Sequence, residues 1–322
     1  MAQDLMKLQS GSDIIGVTLE GVSGMAVDLT EEVAGRIGGA FSYWLGFKVV
    51  KNPFDLRICV GNDGRLSAEE LKSGLLKGIT MFGAEAYDAG LASTPAMFMS
   101  TALPQMDFDG AIMITAGNQP WNMNGFKFFS REGGLNEEDV TDILKLAQKY
   151  VFVGEYYEDR PANAQQMCSA YLRQRLSLGL RSVPGGLRGM HIVVDAGNGA
   201  GGFFAKEVLE PMGADISGSL YLEPDGKYPN HQPDPEDPAV IAAVGKAVAD
   251  NKADLGLIFD ADVDRVAVIG PDGSKLPTDA CSALEESLAA EGCPGGAFLA
   301  VQIVINAAQL KQQGKDITSL TE

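Results

Sequence analysis

Short apolar runs alternate with stretches whose apolar residues recur at helical spacing along almost the whole chain, and this alternation narrows the fold class more than any other feature. Strands that read apolar throughout have both faces covered, so the pattern predicts an α/β architecture. Thr30 stands at the start of a helix carrying Val33, Ile37, Ala40, Phe41 and Trp44 on one stripe. A strand at 56–60 precedes Ser67 and Glu70, spaced as a capping box ahead of Leu71, Leu75, Ile79 and Phe82. Strands at 86–89, 110–115 and 125–129, a helix opened by Pro95 and a helix opened by Asn136 complete a first domain over 1–150. The mixed stretch 151–188 reads as a linker with a helix near 170–176, closed by the turn at 184–186. Then come a strand at 191–195, a glycine loop at 197–202, a helix at 203–212, a helix begun by Pro238 after Asp237, and a strand at 255–259. From Pro277 onward only two helical patterns remain, 279–290 and 297–313, too little for a domain of their own.

Composition excludes several classes of function. With 322 residues there is room for one to three domains, and 45% hydrophobic against 21% charged residues is an ordinary globular balance, not a disordered one. Forty-three acidic and 25 basic residues leave a net charge of −18, which repels a phosphate backbone; nucleic-acid and anionic-membrane partners are not expected. The longest uncharged apolar stretch, 297–308, falls short of the ~18 residues of a membrane helix, so a protein of the cytoplasm or an organelle interior is expected. The first ten residues resemble neither a signal nor a transit peptide, although a plastid location stays open if a leader has been removed. Cys59, Cys168, Cys281 and Cys293 form no metal-type pair, and His191 and His231 are the only histidines.

Three constellations could carry chemistry. Asp260, Asp262 and Asp264 alternate directly after an apolar strand and are followed by Arg265. All-oxygen donors at the carboxyl end of a strand suit a hard cation such as Mg²⁺; a solvated acidic turn is the plainer alternative. An EF-hand is excluded, because Arg265 stands where its glycine belongs and Pro271 where its glutamate belongs. Gly197, Gly199 and Gly202 match the spacing of a dinucleotide fingerprint and would suggest an oxidoreductase, but a tight strand-to-helix turn needs small residues as well. The loop from Thr115 to Lys127 follows a strand and could hold a phosphate, or could be an ordinary surface loop.

Taken in order, Ser10-Gly-Ser-Asp-Ile-Ile-Gly, Gly61-Asn-Asp-Gly-Arg-Leu-Ser, Ser93-Thr-Pro, Thr115 to Lys127, Asp195-Ala-Gly-Asn-Gly and Asp260-Ala-Asp-Val-Asp-Arg resemble the α-D-phosphohexomutases, the phosphoglucomutase and phosphomannomutase enzymes. The resemblance implies α/β/α sandwich domains with mixed sheets. It also implies the family's chemistry: a phosphoserine in the first domain, a Mg²⁺ loop in the second, a sugar loop in the third and a phosphate loop in the fourth. These enzymes move a phosphoryl group between hexose hydroxyls through a bisphosphorylated intermediate. On this pattern residues 1–150 correspond to domain I, 151–275 to domain II and 276–322 to a helical remnant of domain III, with domain IV expected to be absent.

The departures from the family pattern set the functional expectation. The phosphoserine position is Gly117, its histidine neighbour is Asn118, the arginine of the opening motif falls on Ile15, and the glycine within the metal loop is Ala261. The resemblance leaves Lys127 and Arg265 as catalytic candidates, Thr115 and Lys127 as phosphate contacts, and Asp260, Asp262 and Asp264 as metal ligands. A covalent nucleophile is worth a factor of about 10⁶ in turnover. The expected protein is therefore a pseudoenzyme that binds Mg²⁺ and a phosphate or hexose phosphate, with a residual phosphohexomutase and a dinucleotide-binding oxidoreductase as alternatives. The apolar stripes of the last two helices (Leu276, Leu284, Leu288; Phe298, Val301, Ile305, Leu310) need a surface to bury against. Either they fold back on the second domain or they dock on a partner protein or second copy, making the chain a subunit of an assembly.

Overall fold

The computed structural model describes residues 4–150, 158 and 160–321. They form two compact units, Met1–Gln165 and Gln166–Glu322. Of the mixed stretch read as a linker, residues 151–157 and 159 lie outside the described residues, as do residues 1–3 of the N-terminal segment.

The first unit runs β1 (Gln9–Ser10), β2 (Asp13–Val17), α1 (Glu31–Val49), β3 (Arg57–Asn62), α2 (Ala68–Met81), β4 (Glu85–Leu91), α3 (Thr94–Ala102), β5 (Gly110–Ile114), β6 (Met123–Ser130), β7 (Gly133–Gly134) and α4 (Glu137–Lys149). Its sheet has the order β1-β2-β6-β5-β3-β4, with β7 on β6. Strand β3 is parallel to β4 and β5, whereas β6 is antiparallel to β2 and β5, so the sheet is mixed. One face carries α1, α2 and α4 through Ile37, Phe41, Leu75, Ile112, Phe126 and Ile143. The other carries α3 through Met97, Met113 and Phe129, which makes three layers.

Local signals explain most of these boundaries. The Thr30 side chain accepts the Val33 N–H at 3.3 Å and starts α1, and Asn136 and Asp139 form a reciprocal capping box on α4. Ser67 does not cap α2. Its backbone (φ −85°, ψ 0°) is outside the extended region a cap requires, and its hydroxyl accepts from Thr18 and Asn124 instead. Strands β1 and β2 were not expected: they are short, and Gly11 and Gly16 interrupt their apolar pattern.

The second unit holds α5 (Ala164–Gly179) from Gln166 onward and continues through β8 (Ile192–Asp195), α6 (Pro238–Asn251), β9 (Leu255–Phe259), β10 (Val266–Ile269), α7 (Thr278–Ala290) and α8 (Gly296–Gln312). Its sheet, ordered β10-β9-β8, is again mixed, parallel between β8 and β9 and antiparallel between β9 and β10. Helix α6 covers one face through Val193, Val244, Val248 and Ile258. The helix expected over 203–212 is a π-helix at Phe204–Leu209 followed by a 3₁₀ turn at Glu210–Met212. Pro211 has no N–H to continue an α-helix, and the Glu207 carbonyl it leaves is taken by Arg173.

Of the two arrangements expected for the C-terminal helices, α8 takes the fold-back on the second unit. Phe298, Val301 and Ile305 are all buried, and α8 packs on β9 and β10. Phe298 meets Tyr171 of α5 edge-on at 6.3 Å, and Lys311 bonds the Gly189 carbonyl and Asp254. Leu276 and Leu288 are buried too. Leu284 and Leu310 are half-buried, so the stripes fold back for the most part on their own unit.

Candidate functional site

In the first unit the loop after β5 is held from beneath by a buried guanidinium. Arg65 donates from Nη2 to the carbonyls of Gly117 (2.6 Å) and Gln119 (2.8 Å), and from Nη1 to those of Pro120 (2.8 Å) and Met123 (2.9 Å). Asp63, also buried, lies 3.3 Å from Arg65 Nε and accepts the Arg65 backbone N–H at 3.0 Å. The Thr115 hydroxyl donates to Asp63 at 2.7 Å and accepts the Gly117 N–H at 3.1 Å. Thr115, expected as a phosphate contact, is 1% exposed, and both of these bonds are spent on loop geometry. Gly117 itself has φ +54° in the left-handed region.

Lys127 lies on β6 opposite Met113, two residues beyond Gly125, which in turn pairs with Ile15 on β2. Cross-strand partners and i, i+2 neighbours share a face, so Ile15 and Lys127 are on the same side of the sheet. Where the family pattern has an arginine, this face has an aliphatic, half-buried side chain. The roles of Asp63 and Arg65 were not read from the sequence. The available signal was an acid and a base two residues apart just after an apolar strand, which resembles an exposed charged turn until the tertiary fold buries it.

In the second unit Asp260, Asp262 and Asp264 all lie in the six-residue loop joining β9 to β10, since Phe259 and Val266 pair across the hairpin. Strand β10 was not expected, and its antiparallel return makes the aspartate loop the turn of a β-hairpin. Asp260 and Asp262 are buried, and Asp264 is half-buried. Val263, between them, is buried with φ +65°, a strained conformation for a β-branched residue. Burial raises the Asp260 carboxyl well above the usual range, and the charges of Asp262 and Asp264 push it further. Arg265 opposes them: its backbone N–H donates to Asp260 Oδ1 at 2.9 Å and its Nε to Oδ2 at 3.2 Å. The oxygen donors and their clustered negative charge fit a hard divalent cation. Among the described residues, however, no three acidic, histidine or cysteine side chains converge as a finished cage, and Asp260 faces Arg265.

The glycine loop makes close backbone contacts. A Cβ on Gly199 would lie 2.7 Å from both the Cα and the carbonyl oxygen of Ala261, and the Ala200 N–H donates to that oxygen at 2.8 Å. A Cβ on Gly202 would lie 2.0 Å from the Leu222 carbonyl oxygen. Gly199 thus lets two backbones touch, which seats the aspartate loop, and this meets the need of a tight turn for small residues. Asp195 accepts the Gly197 N–H at 2.7 Å and contacts His231 Nε2 at 3.1 Å. The opposite flank is closed by α8, whose Gly296 N–H donates to the Asp264 carbonyl at 2.7 Å.

Comparison with known proteins agrees with this geometry. Residues 15–152 match the model of phosphoglucomutase/phosphomannomutase alpha/beta/alpha domain I, and residues 170–273 match that of domain II. Phosphoglucomutase of Neisseria meningitidis serogroup B is 30% identical over 282 residues, covering 87% of this chain and 55% of the relative. Phosphoglucosamine mutase of Caldicellulosiruptor saccharolyticus is 31% identical over 270 residues, covering 81% and 56%. The chain therefore spans about half the length of these relatives. A Burkholderia thailandensis phosphoglucomutase/phosphomannomutase family protein of known structure superposes with a TM-score of 0.74 at 21% identity, covering 99% of this chain and 79% of that one. Parafusin from Paramecium does so at 0.71 and 14%, covering 96% and 76%; at these identities the likeness concerns the fold. Among the described residues no helix is long and apolar enough to cross a membrane. With both domain models matched in order and two mixed-sheet α/β/α units present, the chain belongs to the phosphoglucomutase/phosphomannomutase family.

Proposed function

We propose that this chain is a non-turning-over member of the phosphohexomutase family that binds Mg²⁺ and a phosphate or hexose phosphate. The observation carrying this reading is the loop at Gly117. The residue where the family pattern has its serine lacks a hydroxyl, and the nearest one, on Thr115, is buried and donates to Asp63. A covalent phosphoryl intermediate has no acceptor there, and losing a nucleophile costs about 10⁶-fold in rate. Asp260, Asp262 and Asp264 would hold Mg²⁺, which when bound neutralises the loop and offers positive charge to a phosphate oxygen. Lys127 within the first unit and Arg265 within the second are each proposed, separately, as a cationic contact for an anion.

A coupled assay converting glucose 1-phosphate to glucose 6-phosphate, with and without Mg²⁺, tests the reading alongside calorimetric titration with Mg²⁺. The expected result is no turnover together with Mg²⁺ binding that Asp262→Ala removes. Turnover accompanied by a phosphorylated residue on the chain would show that the loss of a hydroxyl at Gly117 is not decisive.

A further inference from the structure

We propose that a hollow at the end of α1 in the first unit is a binding site for a small aromatic anion, a planar ring system bearing one carboxylate or sulfonate. The hollow, about 500 Å³, is lined by Tyr43, Phe47, Val50, Pro53 and Phe82, with Lys51 on its wall. Small ligands occupy hollows of this size. Strand β3, which follows it in the chain, runs parallel to β5. The hollow therefore lies toward the N-terminal ends of these strands, whereas the Gly117 loop follows the C-terminal end of β5. Binding here and the reading of the Gly117 loop stand or fall separately.

Three observations point to this ligand. The first is apolar surface left bare: Phe47 is 70% exposed and Val50 91% exposed. The Tyr43 ring stands 5.0 Å from that of Phe47 and 5.5 Å from that of Phe82, centre to centre, so the hollow offers a further ring both faces and edges. The second is Val50 itself, which ends α1 at φ +50°, where a β-branched residue is strained and a glycine would not be. Its side chain is nearly bare, so packing within the chain does not offset that cost; contact with a bound ring would. The third is charge. Lys51, Arg57 and Arg131 share two carboxylates, Asp107 and Asp109, which leaves this network one positive charge in excess although the chain as a whole carries −18. Lys51 spends one donor on Asp109 at 2.8 Å, and its ammonium has others to give. An anion beside Lys51 completes the network, whereas a cation would be repelled.

Fluorescence titration of the full chain with anilinonaphthalene sulfonate, itself an aromatic anion, tests the site. A single equivalent should bind, and indole acetate should displace it. Neutral phenylnaphthylamine, the same ring system without the charge, should bind about 10-fold more weakly, the worth of one charge-assisted hydrogen bond. Lys51→Met should bring the sulfonate down to the affinity of the neutral probe, and Phe47→Ser should weaken both. Lys51→Gln, which keeps a donor for Asp109, replaces Lys51→Met if the latter lowers the melting temperature. Equal affinity of the unmodified chain for the charged and neutral probes overturns the proposal, as does sulfonate binding that Phe47→Ser leaves unchanged, or no binding at all. A dimer in sedimentation velocity that Phe47→Ser dissociates would give the hollow to a second copy, and that too overturns it.

Discussion

Arg65 and Asp63 form an ion pair at 3.3 Å whose side chains are both wholly buried, and this pair positions the loop that contains Gly117. A buried pair adds little net stability, yet removing one partner leaves a desolvated charge behind. Here the loss would also release four backbone carbonyls that Arg65 satisfies. Arg65→Met is expected to cost about 3–5 kcal/mol. Trp44 and Trp121, the only two tryptophans, both belong to the first unit, so the urea midpoint followed by tryptophan fluorescence reads this loss directly. A midpoint unchanged from that of the unmodified chain would contradict the assignment.

Putting a serine back at Gly117 meets a backbone obstacle. At φ +54° a side chain costs about 1–2 kcal/mol, so Gly117→Ser and Gly117→Ala should destabilise the first unit to a similar extent. Equal shifts in the two variants identify the cost as conformational; a stabilising Gly117→Ser would show that the hydroxyl finds a partner worth more than the strain.

Gly199→Ala tests the packing role of the glycine loop. Its methyl group would press on Ala261, and such overpacking costs about 1–3 kcal/mol while displacing the aspartate loop. Lower thermal stability combined with weaker Mg²⁺ binding is expected, and NAD⁺ should leave the melting temperature of the unmodified chain unchanged. A clear NAD⁺-induced rise would restore the dinucleotide reading.

The contact between His231 and Asp195 makes the second unit sensitive to pH. Burial works against the imidazolium, but the hydrogen bonds to Asp195 and to the Gln232 carbonyl, with the charges of Asp195 and Asp237, outweigh it and raise the His231 pKa above the ordinary 6.5. A histidine raised in this way contributes stability that is complete below 6.5 and disappears as pH climbs through the raised value. Thermal unfolding should therefore show the unmodified chain losing more stability than His231→Gln between pH 6 and pH 9. Parallel pH profiles would argue against a charged His231.

Phe298→Ala probes the place of α8 in the second unit. The ring is 1% exposed and packs edge-on with Tyr171, so truncation should cost about 3–5 kcal/mol, as for other large core aromatics. Were α8 a detachable docking helix, circular dichroism would instead record nearly unchanged unfolding of the remainder.

Much of this architecture was legible in residue spacing. Thr30 and Asn136 start their helices through bonds made within three residues, and the core stripes of α1 and α4 follow the helical period. Ser67 shows the limit of such reasoning: its motif was correct, but a hydroxyl serves only where its backbone points it, and Thr18 and Asn124 claimed it from elsewhere in the chain. The same holds for the candidate sites. The absence of an oxygen at Gly117 and the spacing of Asp260, Asp262 and Asp264 are properties of the chain itself, whatever its shape. That Arg65 is buried beneath the loop, that Arg265 rests on Asp260 and that α8 turns its apolar residues inward were settled only on folding. Each joins residues from segments far apart or depends on which side of a backbone is dry, and desolvation is a property of neighbours that one-dimensional order does not specify.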